Sequence, residues 1–118
     1  MTSRISRIIL FVANVPKVAA FYEQHFGLEP LGPEKDGWLE LHAEGCNLAL
    51  HHGTLPPGQC SHSPAKIVFA VSNVHDAVER FAASGLQFGK VQEWNGLSFA
   101  DSKDPAGNPI QICSDGAE

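Results

Sequence analysis

The chain opens with a run of apolar side chains that gives way abruptly to a helical repeat. Residues 5–12, ISRIILFV, are rich in β-branched and aromatic side chains and predict a strand buried on both faces except at Arg7. From Val15 onward, apolar residues recur at helical spacing. Asn14 can cap the start of this helix, and Gly27 supplies a left-handed stop. The opening segment therefore predicts a strand followed by an amphipathic helix.

The same pattern returns in the second half of the chain. Residues 66–71, KIVFAV, predict a strand, and Asn73 stands before a second amphipathic run that ends at Gly85. Asn73 takes the place that Asn14 has in the first half. This agreement indicates an internal duplication.

Short apolar stretches separated by turn residues follow each helix. They predict strands over 37–42 and 47–52 in the first half, and over 87–94, 97–102 and 109–113 in the second. Each half is therefore approximately βαβββ, which predicts an α+β fold.

The two halves are predicted to form modules at about 1–53 and 66–115. Residues 53–65 contain several prolines and glycines without periodicity, which favours a connecting loop. We expect one domain over 1–118, because a single half could hardly cover its own sheet.

Alternation of apolar and polar residues assigns the two faces of each predicted sheet. The helix side should carry Leu39, Leu41, Leu48, Leu50, Ile110 and Ile112. The opposite side should carry Trp38, Glu40, His42, Asn47, Ala49, His51, Gln111 and Cys113. This second face is polar yet includes a tryptophan, a combination that fits a ligand surface as well as a plainly solvated one.

Composition and charge remove several classes of partner. The chain is 43% hydrophobic and 18% charged, as in ordinary globular proteins. Its net charge of -5, without any cluster of Lys or Arg, predicts no nucleic-acid or anionic-membrane partner. Cys46, Cys60 and Cys113 form no C-x-x-C pair and are odd in number, which favours a reducing cytoplasm over a disulfide framework. No apolar stretch approaches the roughly 20 residues needed to cross a bilayer.

Three segments carry a family resemblance. They are NVPKVAAFYEQHFGLEP (14–30), VSNVHDAVERFAASGLQF (71–88) and DPAGNPIQI (104–112). Together they resemble the vicinal oxygen chelate superfamily, which includes glyoxalase I, extradiol dioxygenases, fosfomycin-resistance enzymes and bleomycin-binding proteins. The resemblance implies a cupped, eight-stranded mixed sheet with its helices on the convex side, and a homodimer.

The metal-bearing members of that family place a His on the first strand of each half and carboxylates on the last strands. The matching positions here hold Arg7, Ala49, Lys66 and Gln111. Guanidinium and ammonium groups offer only donors and positive charge, whereas divalent cations need lone pairs. The resemblance therefore predicts the fold without the family's metal.

The leading hypothesis is a metal-independent binding protein for an anionic or aromatic small molecule. Arg7, Lys66 and Gln111 would converge on its polar end, and Trp38, with Trp94 as a further candidate, would stack on its planar part. Glu40 and His51 share the predicted ligand face. In the contrasting interpretation, Arg7 pairs with Glu40 while Lys66 extends into solvent.

Two other functions remain open from the sequence. Glu40, His42 and His51 could form a displaced metal site in a lyase, isomerase or dioxygenase, or His51 could act as a general base without metal. The cup could also be an empty scaffold for dimerisation.

Overall fold

The structure, a computed structural model, describes residues 2–53 and 65–114. The chain forms two compact units, Met1–Ser63 and Pro64–Glu118, and each is described by itself. The predicted connecting loop, except for its end residues Gly53 and Ala65, lies outside the described residues, as does Cys60. The single domain over 1–118 stays a prediction.

The first unit is a βαβββ module. Its elements are β1 (Arg7–Val12), α1 (Val15–Phe26), β2 (Glu29–Pro30), β3 (Trp38–His42) and β4 (Asn47–His52). The strands form a four-stranded sheet in the order β1-β4-β3-β2. β1 runs parallel to β4, and the other neighbours are antiparallel.

The second unit repeats this arrangement. Its elements are β5 (Ile67–Ala70), α2 (Val74–Ala83), β6 (Gln92–Trp94), β7 (Leu97–Lys103) and β8 (Pro109–Cys113). The strand order β5-β8-β7-β6 is the counterpart of the first sheet, again with one parallel pair. The predicted α+β fold of two βαβββ modules with eight strands is confirmed, as two mixed four-stranded sheets.

Both helices begin at the predicted asparagines. The Asn14 side chain accepts a hydrogen bond from the Lys17 backbone N–H (3.1 Å), and Asn73 accepts one from that of Asp76 (3.0 Å). Each bond satisfies a donor in the first helical turn that has no partner within the helix. Gly27 ends α1 with φ of 67°, the left-handed conformation that glycine adopts without steric cost.

The core of each unit lies between its helix and one face of its sheet. α1 packs on β3 and β4, and α2 packs on β7. The leucines and isoleucines assigned to the helix side are buried in the structure: Leu39, Leu41, Leu48, Leu50, Ile110 and Ile112. The face assignment from alternation is confirmed.

The prediction that the first strand is buried on both faces is wrong. Leu10 and Val12 are buried, but Ile8, Ile9 and Phe11 are exposed, Phe11 by 56%. β1 is an edge strand, and Ile9 and Phe11 lie on the side of the sheet turned away from α1. The apolar run therefore predicted the strand correctly, but it did not predict that one face of the strand is exposed.

One further strand prediction needs correction, and one short strand was not located from the sequence. Residues 87–91 are not a strand, and only Gln92–Trp94 pairs as β6. The segment before it is tied to β7 by separate bonds, from the Gly89 N–H to the Asp101 carbonyl and from the Ser102 hydroxyl to the Gln87 carbonyl. The βαβββ pattern implied a third strand after α1 but did not locate β2, because two residues carry too little periodicity to be seen.

None of the helices in the described ranges is both long and apolar enough to traverse a bilayer.

Candidate ligand-binding site on the first sheet

The polar face predicted from alternation is the face of each sheet turned away from its own helix, called the distal face below. Strand register orders the distal face of the first sheet into rows that run across β1, β4 and β3. Arg7 lies opposite Asn47, and in the next row Ile9 lies opposite Ala49, which in turn lies opposite Glu40. Rows on one face are about 7 Å apart, because each is two residues along the strand from the last.

The third row is aromatic. Phe11 lies opposite His51, and His51 lies opposite Trp38. The His51 ring centroid is 5.5 Å from that of Phe11 and 5.7 Å from that of Trp38, with tilts of 60° and 63°. These three side chains are partly or largely exposed, so they form an aromatic row that a flat molecule can reach.

The structure brings together Trp38 and His51, two of the predicted site residues. Phe11 is missing from the predicted site, because its strand was predicted to be buried on both faces except at Arg7. The signal was present in the sequence, since Phe11 shares the phase of Arg7 along β1.

Arg7 and Glu40 form an ion pair on the distal face. The Arg7 Nε donates to Glu40 Oε2 at 3.0 Å, and the Asn47 amide nitrogen donates to the same oxygen at 3.1 Å. The hydrogen bond from Arg7, followed by that from Asn47, lowers the pKa of Glu40 below its ordinary value of 4.5. The alternative in which Arg7 pairs with Glu40 is confirmed, and Asn47 joins the pair as an unforeseen third member.

The second sheet carries an equivalent group. The Lys66 Nζ lies 3.0 Å from Asp101 Oδ1, and the Gln111 amide nitrogen donates to the same oxygen at 3.0 Å. Lys66 therefore does not simply extend into solvent. Lys66 and Gln111 are brought together as predicted, but through Asp101, which is not among the predicted site residues.

Asp101 is the counterpart of Glu40 in the second unit. It lies opposite Gln111, as Glu40 lies opposite Ala49, so the two carboxylates occupy matching places on β7 and β3. Arg7 and Lys66 belong to different units, so their predicted convergence on one ligand stays a prediction.

The positions that match the family's metal ligands do not fit a divalent metal. Arg7 and Lys66 are cations bonded to carboxylates, and Ala49 has no donor atom. Gln111 offers a neutral amide that is already bonded to Asp101.

The alternative metal set is spread along the sheet. His51 lies in the aromatic row, Glu40 in the next row, and His42 at the far end of β3. The rows of His51 and His42 are roughly 13 Å apart, too far for one ion to bridge. Within residues 2–53 and 65–114, no group of three or more His, Cys, Asp or Glu side chains is arranged to hold a metal ion. The prediction that the protein lacks the family's metal is open to test by metal analysis of the purified protein.

Trp94, the further stacking candidate, lies on the second sheet. It is paired with Leu97 at the β6–β7 hairpin and is 69% exposed. Trp94 and Trp38 belong to different units, so a shared stacking site for the two tryptophans stays a prediction.

The fold and the distal-face geometry define a duplicated βαβββ protein. The chain belongs to the Glyoxalase/Bleomycin resistance protein/Dioxygenase superfamily, whose family model matches residues 4–112. This confirms the resemblance inferred from the three sequence segments. No curated protein matches the chain.

Solved structures share the fold at low sequence identity. A lactoylglutathione lyase from Agrobacterium tumefaciens is 20% identical, with a TM-score of 0.75, covering 95% of this chain and 93% of the other. An integron cassette protein from the mobile metagenome of the Halifax Harbour sewage outfall is 17% identical, with a TM-score of 0.77 and coverage of 96% and 99%. The oxidase ChaP-H2 is 19% identical, with a TM-score of 0.72 and coverage of 99% and 97%. At such identities the likeness shows the fold alone.

Proposed function

We propose that this protein binds a planar aromatic small molecule on the aromatic row of its first sheet, without a metal at the family's usual positions. The observation that carries the proposal is the alignment of Phe11, His51 and Trp38 in one row of an accessible sheet face. Three adjacent rings offer a large apolar contact area to a flat ligand.

The two ion pairs argue against a ligand that is anionic but carries no aromatic ring. Arg7 and Lys66 each have a carboxylate within 3.0 Å, so neither presents an uncompensated positive charge. An anion without an aromatic ring would gain little from either group. The aromatic part of the earlier hypothesis is therefore the part that the geometry favours.

The enzyme hypothesis has less support from the geometry. A metal site made by Glu40, His42 and His51 would need side chains from rows too far apart. His51 as a general base would have to act from between two aromatic rings.

We further propose that the binding protein is a cytoplasmic homodimer, an expectation that rests on the family resemblance and the cysteine usage.

The test is a nuclear magnetic resonance titration that uses the two tryptophans as reporters. The probe is 2-(2-naphthyl)ethanol, and its ring-saturated decalin analogue is the control for planarity. Trp94→Phe assigns the two indole N–H signals. We expect the naphthyl probe to shift the Trp38 signal and leave that of Trp94 in place, while the decalin analogue has a much weaker effect. Equal shifts with both compounds, or a shift at Trp94 alone, would contradict the proposal.

A further inference from the structure

The Arg7–Glu40 pair lies beside the aromatic row and faces the same side of the sheet. Glu40 belongs to the row next to the aromatic one, and Arg7 to the row beyond it. Because Arg7 bonds to Glu40, the ion pair spans the two rows that follow the aromatic row, and neighbouring rows are about 7 Å apart. A ring stacked on that row can therefore direct a substituent toward this ion pair.

The pair offers hydrogen-bond donors without offering net positive charge. The bond to Glu40 uses the Arg7 Nε, which is one of five N–H donors on a guanidinium. The other four belong to the terminal nitrogens, which this bond leaves for a ligand. Glu40 meanwhile stays ionised at neutral pH, since its hydrogen bonds to Arg7 and Asn47 lower its pKa.

An anionic substituent would meet Glu40 as well as Arg7. The Glu40 side chain is only 16% exposed, so solvent screens its charge less than that of a fully solvated carboxylate. A ligand carboxylate would place a second negative charge near it, in a protein whose net charge is already -5. A neutral carbonyl oxygen accepts the same hydrogen bond without this repulsion.

We infer that the ligand of this site is a neutral planar aromatic molecule with a carbonyl acceptor, such as an aryl ketone or quinone, and that Glu40 determines this choice over an aromatic acid. The inference rests on the proposed function, since it places the ring on the aromatic row. In this assignment Arg7 donates to the carbonyl oxygen. Glu40 positions Arg7 and repels anions.

Three compounds of nearly equal shape test the inference by isothermal titration calorimetry. They are 2-acetylnaphthalene, 2-naphthoate and 2-ethylnaphthalene, which share the ring but carry a ketone, a carboxylate and no acceptor. We expect the ketone to bind about tenfold tighter than the ethyl compound, as for a hydrogen bond to a charged donor. We expect the carboxylate to bind more weakly than the ketone.

The decisive variant is Glu40→Gln, which keeps the shape of the side chain and removes its charge. Arg7 then becomes an uncompensated cation, so 2-naphthoate should gain about tenfold and overtake the ketone. The matched control is Glu23→Gln, because Glu23 is an exposed residue of α1, on the opposite side of the same sheet. It makes the same change in net charge and should leave the order of the three compounds unchanged.

The outcomes separate the inference from the function on which it rests. If wild type prefers 2-naphthoate, or if Glu40→Gln leaves the order of affinities unchanged, the inference is overturned while aromatic binding stands. If Glu23→Gln reverses the order as Glu40→Gln does, the preference reflects overall charge and the inference also fails. If none of the naphthalenes binds, the proposed function itself is wrong.

Discussion

The two sheets carry matching ion pairs with different surroundings. Glu40 and Asp101 stand at equivalent places on β3 and β7, and each accepts from a cation near the start of the first strand of its unit. Their amide partners differ in position, however. Asn47 lies in the row of its cation, whereas Gln111 lies in the row of its carboxylate.

The larger difference lies in the row of side chains next to each of these carboxylates, on the side away from the cation. The first sheet has Phe11, His51 and Trp38 there, and the corresponding row of the second sheet is Ala70, Cys113 and Phe99. The duplicated backbone thus supports a wide ring surface in one unit and mostly small side chains in the other. The comparison teaches that the repeat determines the framework, while ligand preference depends on a few distal-face residues of one unit.

The largest expected effect tests whether the two units share an equivalent core. Leu50 and Ile112 occupy matching strand positions, and both are fully buried. We expect Leu50→Ala and Ile112→Ala each to lower the free energy of unfolding by about 3 kcal/mol, because each leaves a cavity under its helix. Urea unfolding measures both values. A loss confined to one variant would break the equivalence of the cores.

The next effect tests the difference between the distal faces. Trp38→Leu should weaken binding of 2-(2-naphthyl)ethanol about tenfold, since it removes a stacking ring but keeps an apolar side chain. The matched variant Phe99→Leu, at the corresponding place on the second sheet, should leave the affinity within about twofold of wild type. Calorimetry compares the two variants directly. Equal losses would show that both sheets contribute to the site.

The smallest effect separates the two ion pairs. A double-mutant cycle with Arg7→Gln and Glu40→Gln should give a coupling below about 1 kcal/mol, as is usual for ion pairs near the surface. The corresponding cycle with Lys66→Gln and Asp101→Asn should give less, because the Asp101 side chain is 38% exposed against 16% for Glu40.

The acid dependence of the first cycle follows from the lowered pKa of Glu40. A carboxyl group whose pKa is lower in the folded state than in the unfolded state stabilises the fold at any pH above its unfolded-state pKa. This contribution is lost as the pH falls through the folded-state pKa. The Arg7–Glu40 coupling should therefore hold from pH 7 down to about pH 5 and decline in more acidic solution. Urea unfolding at several pH values checks this. A coupling that persists unchanged in strong acid would be inconsistent with the ion pair.

Much of the fold could be predicted from local pattern. Helical spacing and the two capping asparagines located both helices, and alternation placed Leu50 and Ile112 on the helix side. The site was less accessible to such reasoning. Phe11 was assigned to the core, since an apolar run does not reveal which strand will lie at a sheet edge.

The partners of the charged residues show the same limit. Pairing of Arg7 with Glu40 could be proposed because both fell on one predicted face. The role of Asp101 could not be judged until the register of β7 against β8 placed it opposite Gln111. A carboxylate's partner depends on contacts between residues far apart in the chain, which periodicity does not encode.

The sequence by itself determined the duplicated βαβββ pattern, the ends of the helices and the helix-facing apolar residues, because these follow from interactions among near neighbours in the chain. Only the tertiary structure decided that three rings meet in one row and that Arg7 and Lys66 each have a carboxylate partner. The physical reason is strand register, which brings together residues from β1, β3 and β4, or from β5, β7 and β8, across long stretches of chain.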